Sequence, residues 1–291
     1  MITIKISGGL WNQMFQYAYI QALSEKHKQE FSLDTNDYKT YFRPFELSIF
    51  WVDQTNYTQK NIPPYQRFSA NNKYLAVGLH LVQKILRKYD SKHFIEKQYN
   101  FDEDFLNITS GYIQWVFQTQ KYFKNIESTI RKNFSFPKIY LPANSDIAKT
   151  IQASNSVSIH IRRWDYVASS KAQNFHGTCN IPYYEKAIQK IKSSIDAPYF
   201  FIFSDDIEWV KQNLIVDGPS QYIDWNTWGN SWEDMRLMSL CKHNIVANSS
   251  FSWWWAWLNN YKEKIVIGPS RWINDDSYNT TDVMPKSWIK I

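Results

Sequence analysis

The stretch Val157-Ser-Ile-His-Ile-Arg-Arg-Trp-Asp-Tyr166 places an apolar strand directly before two arginines and an aspartate. Strands and helices alternate regularly from this point to the end of the chain. The predicted strands are 157–161, 199–203, 221–223, 245–247 and 265–267, and the predicted helices are 183–194, 207–214, 233–241 and 252–259. This alternation predicts a parallel sheet with helices on both faces.

The beginning of the chain predicts another α/β unit. Alternating isoleucines over 2–6 indicate a strand, Gly8-Gly9 indicates a turn, and apolar residues at helical spacing indicate a helix over about 12–28. Residues 31–110 show no clear pattern apart from a helix near 74–88.

A strand over 111–117 and a helix over 119–134 complete the first unit. Two prolines within 135–142 then indicate a linker. We therefore expect an α/β protein with two domains, 1–143 and 144–291, and a cleft between them, because open parallel sheets bind ligands at the carboxyl ends of their strands.

Composition narrows the class of protein. The 291 residues are 44% hydrophobic, 18% aromatic and 21% charged, which excludes disordered, collagen-like and coiled-coil chains. Two cysteines do not make a disulfide framework, and Met1 is followed by a strand instead of a signal segment, so we expect a cytoplasmic protein. The net charge of +6 favours an anionic partner, but no nucleic-acid motif accompanies it.

Arg162 and Arg163 are the strongest candidates for chemistry. A guanidinium group donates two hydrogen bonds to a phosphate and stays charged at any working pH, so this pair can clamp a diphosphate at a strand end. The alternative is a salt-bridged loop in which Asp165 pairs with either arginine.

Polar residues follow two further strands. Ser204 or Asp205 fits an N-cap for the helix 207–214, and a metal site is disfavoured because no histidine or cysteine accompanies the acids. The segment 248–252 brings hydroxyls and backbone amides to a helix N-terminus, which suits an anion. Capping together with aromatic core packing is the alternative, and capping does not exclude anion binding.

Several segments together resemble the α-1,2-fucosyltransferases of glycosyltransferase family 11. They are 8–18, 117–123, 160–166, 203–206 and 234–258. The resemblance spans nearly the whole chain, is weakest at 31–110, and implies two Rossmann-like domains facing across a cleft (GT-B type), with the acceptor side in 1–143 and GDP-fucose bound by 144–291.

The resemblance also implies an activity. A galactoside α-1,2-fucosyltransferase transfers L-fucose from GDP-β-L-fucose, with inversion and without a metal or cofactor, to O-2 of a terminal galactose. The implied acceptor is a surface glycan of the O-antigen or lipopolysaccharide type, or a lipid-linked glycan. Such an enzyme contacts no nucleic acid, and peripheral contact with the cytoplasmic face of the inner membrane is compatible with the positive charge.

Roles for individual residues follow from the matched motifs. Arg163 first and Arg162 second would stabilise the charge that develops on the departing GDP. Asp165 is a candidate general base. The residues assigned to donor binding are His160, Asn12, Ser204, Asp205, Asn248, Ser249, Ser250 and Ser252.

Where the chain departs from the family pattern, the change is always tryptophan in place of glycine. The positions where the family pattern has glycine and this chain has tryptophan are Trp11, Trp115, Trp164, Trp228 and Trp255. The chain has 8 glycines and 14 tryptophans, whereas an ordinary glycine content would give about 20. We hypothesise that these codons are UGA, which some bacteria decode as glycine, and that they have been translated as tryptophan.

Genuine tryptophans would point to a different function. At positions 11, 164 and 255 they would block the donor pocket and indicate an inactive homologue or a non-catalytic carbohydrate-binding protein. An inverting fucosyltransferase acting on a protein or lipid-linked glycan is a further alternative. A nicotinamide-dependent dehydrogenase is poorly supported, because no G-x-G-x-x-G opens the first helix.

The codon hypothesis predicts what the gene contains. We expect UGA at positions 11, 164 and 255, because random drift would not choose one residue pair repeatedly. Sequencing the gene checks this directly, and UGG at all of these positions would sink the hypothesis.

Overall fold

The computed structural model describes residues 1–40, 44–50, 52, 92–136, 141–163, 170–226 and 230–291. The helix predicted near 74–88 lies outside these residues. The chain divides into two units, one formed by Met1–Pro137 with Thr281–Val283 and the other by Lys138–Thr280 with Met284–Ile291. The division falls a few residues before the predicted boundary at 143/144, because Pro142 begins a helix of the second unit instead of ending a linker.

The first unit contains a parallel sheet beside a long helix. Its described strands and helices are β1 (Ile2–Lys5), α1 (Leu10–His27), β2 (Phe31–Asp34), β3 (His93–Ile95), β4 (Gly111–Gln114) and α2 (Glu127–Asn133). The strand order is β2-β1-β4-β3, and every pair is parallel. β1 is an inner strand, and its alternating isoleucines and the threonine between them are all buried.

Two predictions for the first unit were too long. The strand predicted over 111–117 ends at Gln114, because Trp115 and Phe117 have φ values of 134° and 51° and leave the extended conformation. The helix predicted over 119–134 is replaced by short 3₁₀ turns followed by α2. The Thr119 side chain accepts a hydrogen bond from the Lys121 amide and closes the first of these turns.

The second unit contains a larger parallel sheet. Its described elements are α3 (Pro142–Ala153), β5 (Asn155–Ile161), α4 (Ser170–His176), α5 (Ile181–Lys192), β6 (Pro198–Ser204), α6 (Ile207–Asn213), β7 (Ser220–Ile223), α7 (Ser231–Leu240), β8 (His243–Ile245), α8 (Ser250–Leu258), β9 (Val266–Gly268) and β10 (Ile289–Lys290). The strand order is β10-β9-β8-β5-β6-β7. The chain therefore runs outward from β5 to one edge, returns to β8, and runs outward to the other edge, as in a Rossmann fold.

Burial explains why this half was readable from its sequence. β6 is a continuous apolar run, whereas in β5 apolar residues alternate with buried polar ones. The apolar Val157, Ile159 and Ile202 pack against the apolar face of α5. α8 is buried on all sides, including Trp253, Trp254 and Trp255. A helix that is apolar all round belongs in a core. The two parallel sheets with their helices confirm the predicted α/β class with two Rossmann-like units.

The first unit holds a buried carboxyl group. Glu96 is 2% exposed. Its Oε1 accepts a hydrogen bond from the Tyr122 hydroxyl at 2.7 Å, and its Oε2 accepts one from the Phe117 amide at 3.1 Å. Burial raises the pKa of Glu96 to about 8, against the opposite influence of these two hydrogen bonds.

The raised pKa predicts a dependence of stability on pH. A glutamate in the unfolded chain ionises near pH 4.3. Between roughly pH 5 and 8 the unfolded chain has therefore lost a proton that folded Glu96 keeps, so the free energy of unfolding falls as pH rises, by up to about 1.4 kcal/mol per pH unit. Glu96→Gln should remove this contribution. Urea unfolding of both proteins at several pH values measures the difference, and parallel pH profiles would contradict the assignment.

Candidate functional site

The carboxyl ends of three strands meet in the second unit. β5 pairs with β6, where Ile161 lies opposite Ser204, and with β8, where Ile159 lies opposite Ile245. The connections from β5 and β8 leave in opposite directions, so a crevice is expected outside these strand ends. Three parts of the chain lie at this edge, at the ends of β5, β6 and β8: Arg162, the segment 204–206 and the segment 246–252.

Asp205 links the two arginines. Its Oδ2 lies 3.2 Å from Arg162 Nη1, and its Oδ1 accepts a hydrogen bond from the Arg163 backbone amide at 2.8 Å. The side chains of Arg162 and Asp205 are 22% and 21% exposed. Both partners keep some contact with solvent, and a guanidinium group can donate hydrogen bonds to a phosphate as well as to a carboxylate.

Arg163 has a different environment. Its Nε lies 3.1 Å from Asp206 Oδ2, and its guanidinium carbon lies 4.0 Å from the centre of the Trp209 ring. The aromatic face and the carboxylate together fix the plane of the guanidinium. Trp209 was not among the predicted site residues, and the available signal was its position in the first turn of the helix after the two aspartates.

The described salt bridges of the two arginines use aspartates that the salt-bridge alternative did not name. Asp205 and Asp206 pair with the arginines, whereas Trp164 and Asp165 lie outside the described residues. Neither Ser204 nor Asp205 is the N-cap of α6: that position belongs to Asp206, whose amide donates to Ser204 Oγ at 3.0 Å. The capping prediction was therefore wrong, because the chain needs one more residue to turn into the helix.

His160 and Ser252 form a buried link between β5 and α8. His160 Nδ1 lies 2.6 Å from Ser252 Oγ, which also accepts a hydrogen bond from the Ala247 amide at 3.2 Å. Burial, and then the charge of Arg162, lower the pKa of His160 well below its usual value. The neutral imidazole thus ties the end of β5 to the helix after β8.

The Asn248 side chain holds two loops together. Its Nδ2 lies within hydrogen-bond distance of three backbone carbonyl oxygens, those of His176, Gly177 and Trp272. Ser249, which precedes α8, is buried and Ser250 is half-buried. α8 begins at Ser250, so the segment 248–252 lies at a helix N-terminus as predicted. The Ser249 side chain makes no capping hydrogen bond within the described structure.

Asn12 lies in the first unit, in the first turn of α1. Its Oδ1 accepts a hydrogen bond from Gln118 Nε2 at 2.9 Å. Gly8, with φ of 81°, makes the preceding turn, and a Cβ atom there would lie 2.7 Å from Asn12 Nδ2. Gln118 belongs to a motif noted in the sequence but was not predicted as a site residue.

A cavity of about 340 Å³ lies beside the ends of β8 and β9. Asn248 is the predicted donor-binding residue that contributes to its wall, together with Cys179, Lys186 and Arg271. Burial raises the pKa of the Cys179 thiol to about 11. The thiol is therefore protonated at neutral pH and is not an activated nucleophile.

The tryptophans at predicted glycine positions differ in backbone conformation. Trp11 and Trp255 lie in α1 and α8, whereas Trp115 has a φ of 134°, which glycine adopts readily and other residues rarely do. The indole Nε1 atoms of Trp115 and Trp255 are buried and find no hydrogen-bond partner in the part of the chain that is described. Trp228 lies outside that part.

The described residues contain neither a cluster suited to a metal ion nor a helix suited to a membrane. Among the described residues, no group of three or more histidine, cysteine, aspartate or glutamate side chains could hold a metal ion. No helix in the same residues combines the length and apolar character that crossing a bilayer requires.

Two glycosyltransferases of Escherichia coli are similar to this chain over nearly its whole length. It is 34% identical over 305 aligned residues to an alpha-1,2-colitosyltransferase of Escherichia coli, covering 100% of this chain and 99% of the relative. It is also 34% identical to the Escherichia coli O-antigen biosynthesis glycosyltransferase WbnK, with 98% and 99% covered.

A solved structure supports the fold. A variant of Arabidopsis thaliana FUT1 in complex with GDP matches with a TM-score of 0.50 and 9% identity, over 91% of this chain and 69% of that one. The likeness agrees with the predicted GT-B-type α/β fold. The family model for glycosyl transferase family 11 matches residues 1–291, and the chain belongs to glycosyltransferase family 11.

Proposed function

We propose that this glycosyltransferase moves L-fucose from GDP-β-L-fucose to O-2 of a terminal galactose, with inversion and without a metal ion. The observation that carries the proposal is the arginine pair at the carboxyl end of β5, beside the point where the sheet connections diverge. Arg162 and Arg163 are both partly exposed there and are held by Asp205 and Asp206.

The arginines suit the electrostatics of the reaction. As the bond between fucose and the phosphate oxygen stretches, negative charge develops on GDP, and fixed cations stabilise that charge most where water is excluded. Arg162 is proposed to donate to a phosphate oxygen while it stays paired with Asp205, since a guanidinium group has several N–H donors. Arg163 keeps its orientation through Trp209. Both arginines are proposed to act on the diphosphate.

The remaining assignments are proposals of the same kind. Asp165 is proposed as the general base that takes the proton of the acceptor hydroxyl. The donor-binding set is His160, Asn12, Ser204, Asp205, Asn248, Ser249, Ser250 and Ser252. Since His160, Ser252 and Asn248 already hold strand ends and loops, we propose that they act on the donor by fixing the backbone around it.

The acceptor is proposed to be a galactose-terminated glycan, as part of a surface polysaccharide or a lipid-linked precursor. Similarity to an O-antigen biosynthesis glycosyltransferase supports this class. The net charge of +6 is compatible with peripheral contact with an anionic membrane face.

Colitosyl transfer is a second candidate, favoured by the 34% identity to a colitosyltransferase along the whole chain. Colitose is fucose without its 3-hydroxyl group. A pocket that hydrogen-bonds this hydroxyl rejects the deoxy sugar strongly, whereas an apolar pocket discriminates much less. The ratio of the two transfer rates therefore tells which donor the site is built for.

The proposed reaction is tested with purified protein, a terminal β-galactoside and either GDP-fucose or GDP-colitose, in the presence of EDTA. The chain as written is compared with a form carrying glycine at 11, 115, 164 and 255. We expect fucose transfer by the glycine form that EDTA does not abolish. Faster colitose transfer would favour the second candidate, and binding of the glycan without GDP binding by either form would favour a non-catalytic carbohydrate-binding protein.

The arginine pair makes a sharper prediction. In the active form of the chain, Arg162→Lys and Arg163→Lys should each lower kcat by about 10²–10³-fold, because a lysine cannot reproduce the two-pronged contact. Arg131→Lys serves as the matched control, since Arg131 pairs with Glu127 on the surface of the first unit. Unchanged kcat in both site variants would contradict the proposed role.

A further inference from the structure

The segment after β7 leaves the sheet at the same edge as the arginine pair. β7 pairs in parallel with β6, and Ile223 lies opposite Phe203. Trp225 follows this pair by two residues on β7, as Asp205 does on β6. Because the strand order is β5-β6-β7, two strand spacings, about 10 Å, separate the ends of β5 and β7. Trp225 thus leaves the sheet level with the aspartate that pairs with Arg162.

A fully buried asparagine holds the Trp225 side chain. Asn144, in the first turn of α3, is 0% exposed, and its Oδ1 accepts a hydrogen bond from Trp225 Nε1 at 2.7 Å. Asn144 Nδ2 donates to Asn226 Oδ1 at 2.9 Å. Asn226 Nδ2 in turn donates to Asp234 Oδ1 at 2.7 Å, which ties the segment to α7. Two successive side chains after β7 are therefore bound to one buried amide, and the indole ring is fixed before any ligand arrives.

The ring of Trp225 has a surface that the described residues do not cover with another ring. The residue is half-buried, and its N–H bonds to a buried amide, so any exposed part of the side chain is apolar ring surface. Among the described residues the ring stacks on no other aromatic group. By contrast, Trp209 carries Arg163 on its face, and Trp253 stacks on Trp257. A rigid aromatic surface at the carboxyl edge of the sheet suits a planar group of a ligand.

We propose that the Trp225 ring is the surface on which the base of the nucleotide donor stacks. The inference rests on the proposed function, which puts the diphosphate on Arg162 and Arg163. From there a ribose spanning the end of β6 brings the base to the end of β7. In the other direction, at the end of β8, the side chains of Asn248 and Ser252 are already bonded to the protein itself. Stacking suits this position, because every base has a π-face.

The test uses three variants of each form of the chain that binds GDP. Trp225→Leu removes the aromatic face and keeps an apolar side chain, whereas Trp225→Phe keeps a ring and loses the hydrogen bond to Asn144. Tyr199→Leu is the matched control, because Tyr199 is a half-buried aromatic residue at the beginning of β6, on the opposite edge of the same sheet. Calorimetry measures the affinity for GDP, and competition against GDP measures the affinity for inorganic pyrophosphate, which has no base.

We expect Trp225→Leu to weaken GDP binding by about 5- to 150-fold and to leave pyrophosphate binding unchanged, because only GDP has a base to stack. Trp225→Phe should lose less than Trp225→Leu, and Tyr199→Leu should bind both ligands normally. The KM for GDP-fucose should rise with little change in kcat, since stacking is the same before and during sugar transfer.

Three results would overturn the inference. Unchanged GDP affinity in Trp225→Leu would place the base elsewhere, and equal losses of GDP and pyrophosphate would mean that the whole site is disturbed. Equal losses in Trp225→Leu and Trp225→Phe would assign the effect to the hydrogen bond with Asn144. Each of these leaves the proposed reaction standing. Stacking of GDP on Trp225 without fucose transfer would overturn the proposed reaction alone, and failure of both forms of the chain to bind GDP would overturn both.

Discussion

The position of β5 between β6 and β8 is the constraint on which the rest of the second unit depends. Parallel pairing holds Ile159 between β6 and β8, and Ile161 pairs with Ser204 of β6, so the residues after β5 lie at an edge shared by three strand ends. Because the chain leaves β5 in one direction and β8 in the other, a crevice is expected at that edge. The buried pair of His160 and Ser252 ties the two strand ends together beneath it.

The charges at this edge follow from their partial exposure. Arg162 and Arg163 could not remain unpaired against the low-dielectric end of a sheet, and each has an aspartate from the end of β6. Full burial would make these pairs permanent, whereas full exposure would leave them disordered in water. Intermediate exposure keeps the guanidinium groups in place and leaves N–H donors that another oxyanion can reach.

The sequence predicted the second unit better than the first for a physical reason. β6 is a long apolar run and β5 has regularly spaced apolar residues over its seven positions, so both were visible in the sequence. β2 and β3 are short, carry polar residues and were missed. The arginines were found because charge directly after an apolar strand is conspicuous. Their partners were not, since pairing between the ends of β5 and β6 depends on sheet order, which local pattern does not contain.

The same distinction separates the tryptophans. Their sequence pattern treats positions 11, 115 and 255 alike, because it records only the type of substitution. Backbone conformation does not: a helix accepts tryptophan at 11 and 255 without strain in φ, whereas the turn at 115 is imposed by Gln16 and Glu96 and suits a residue without a Cβ atom. Of these three positions, 115 is the one at which the backbone conformation itself favours glycine.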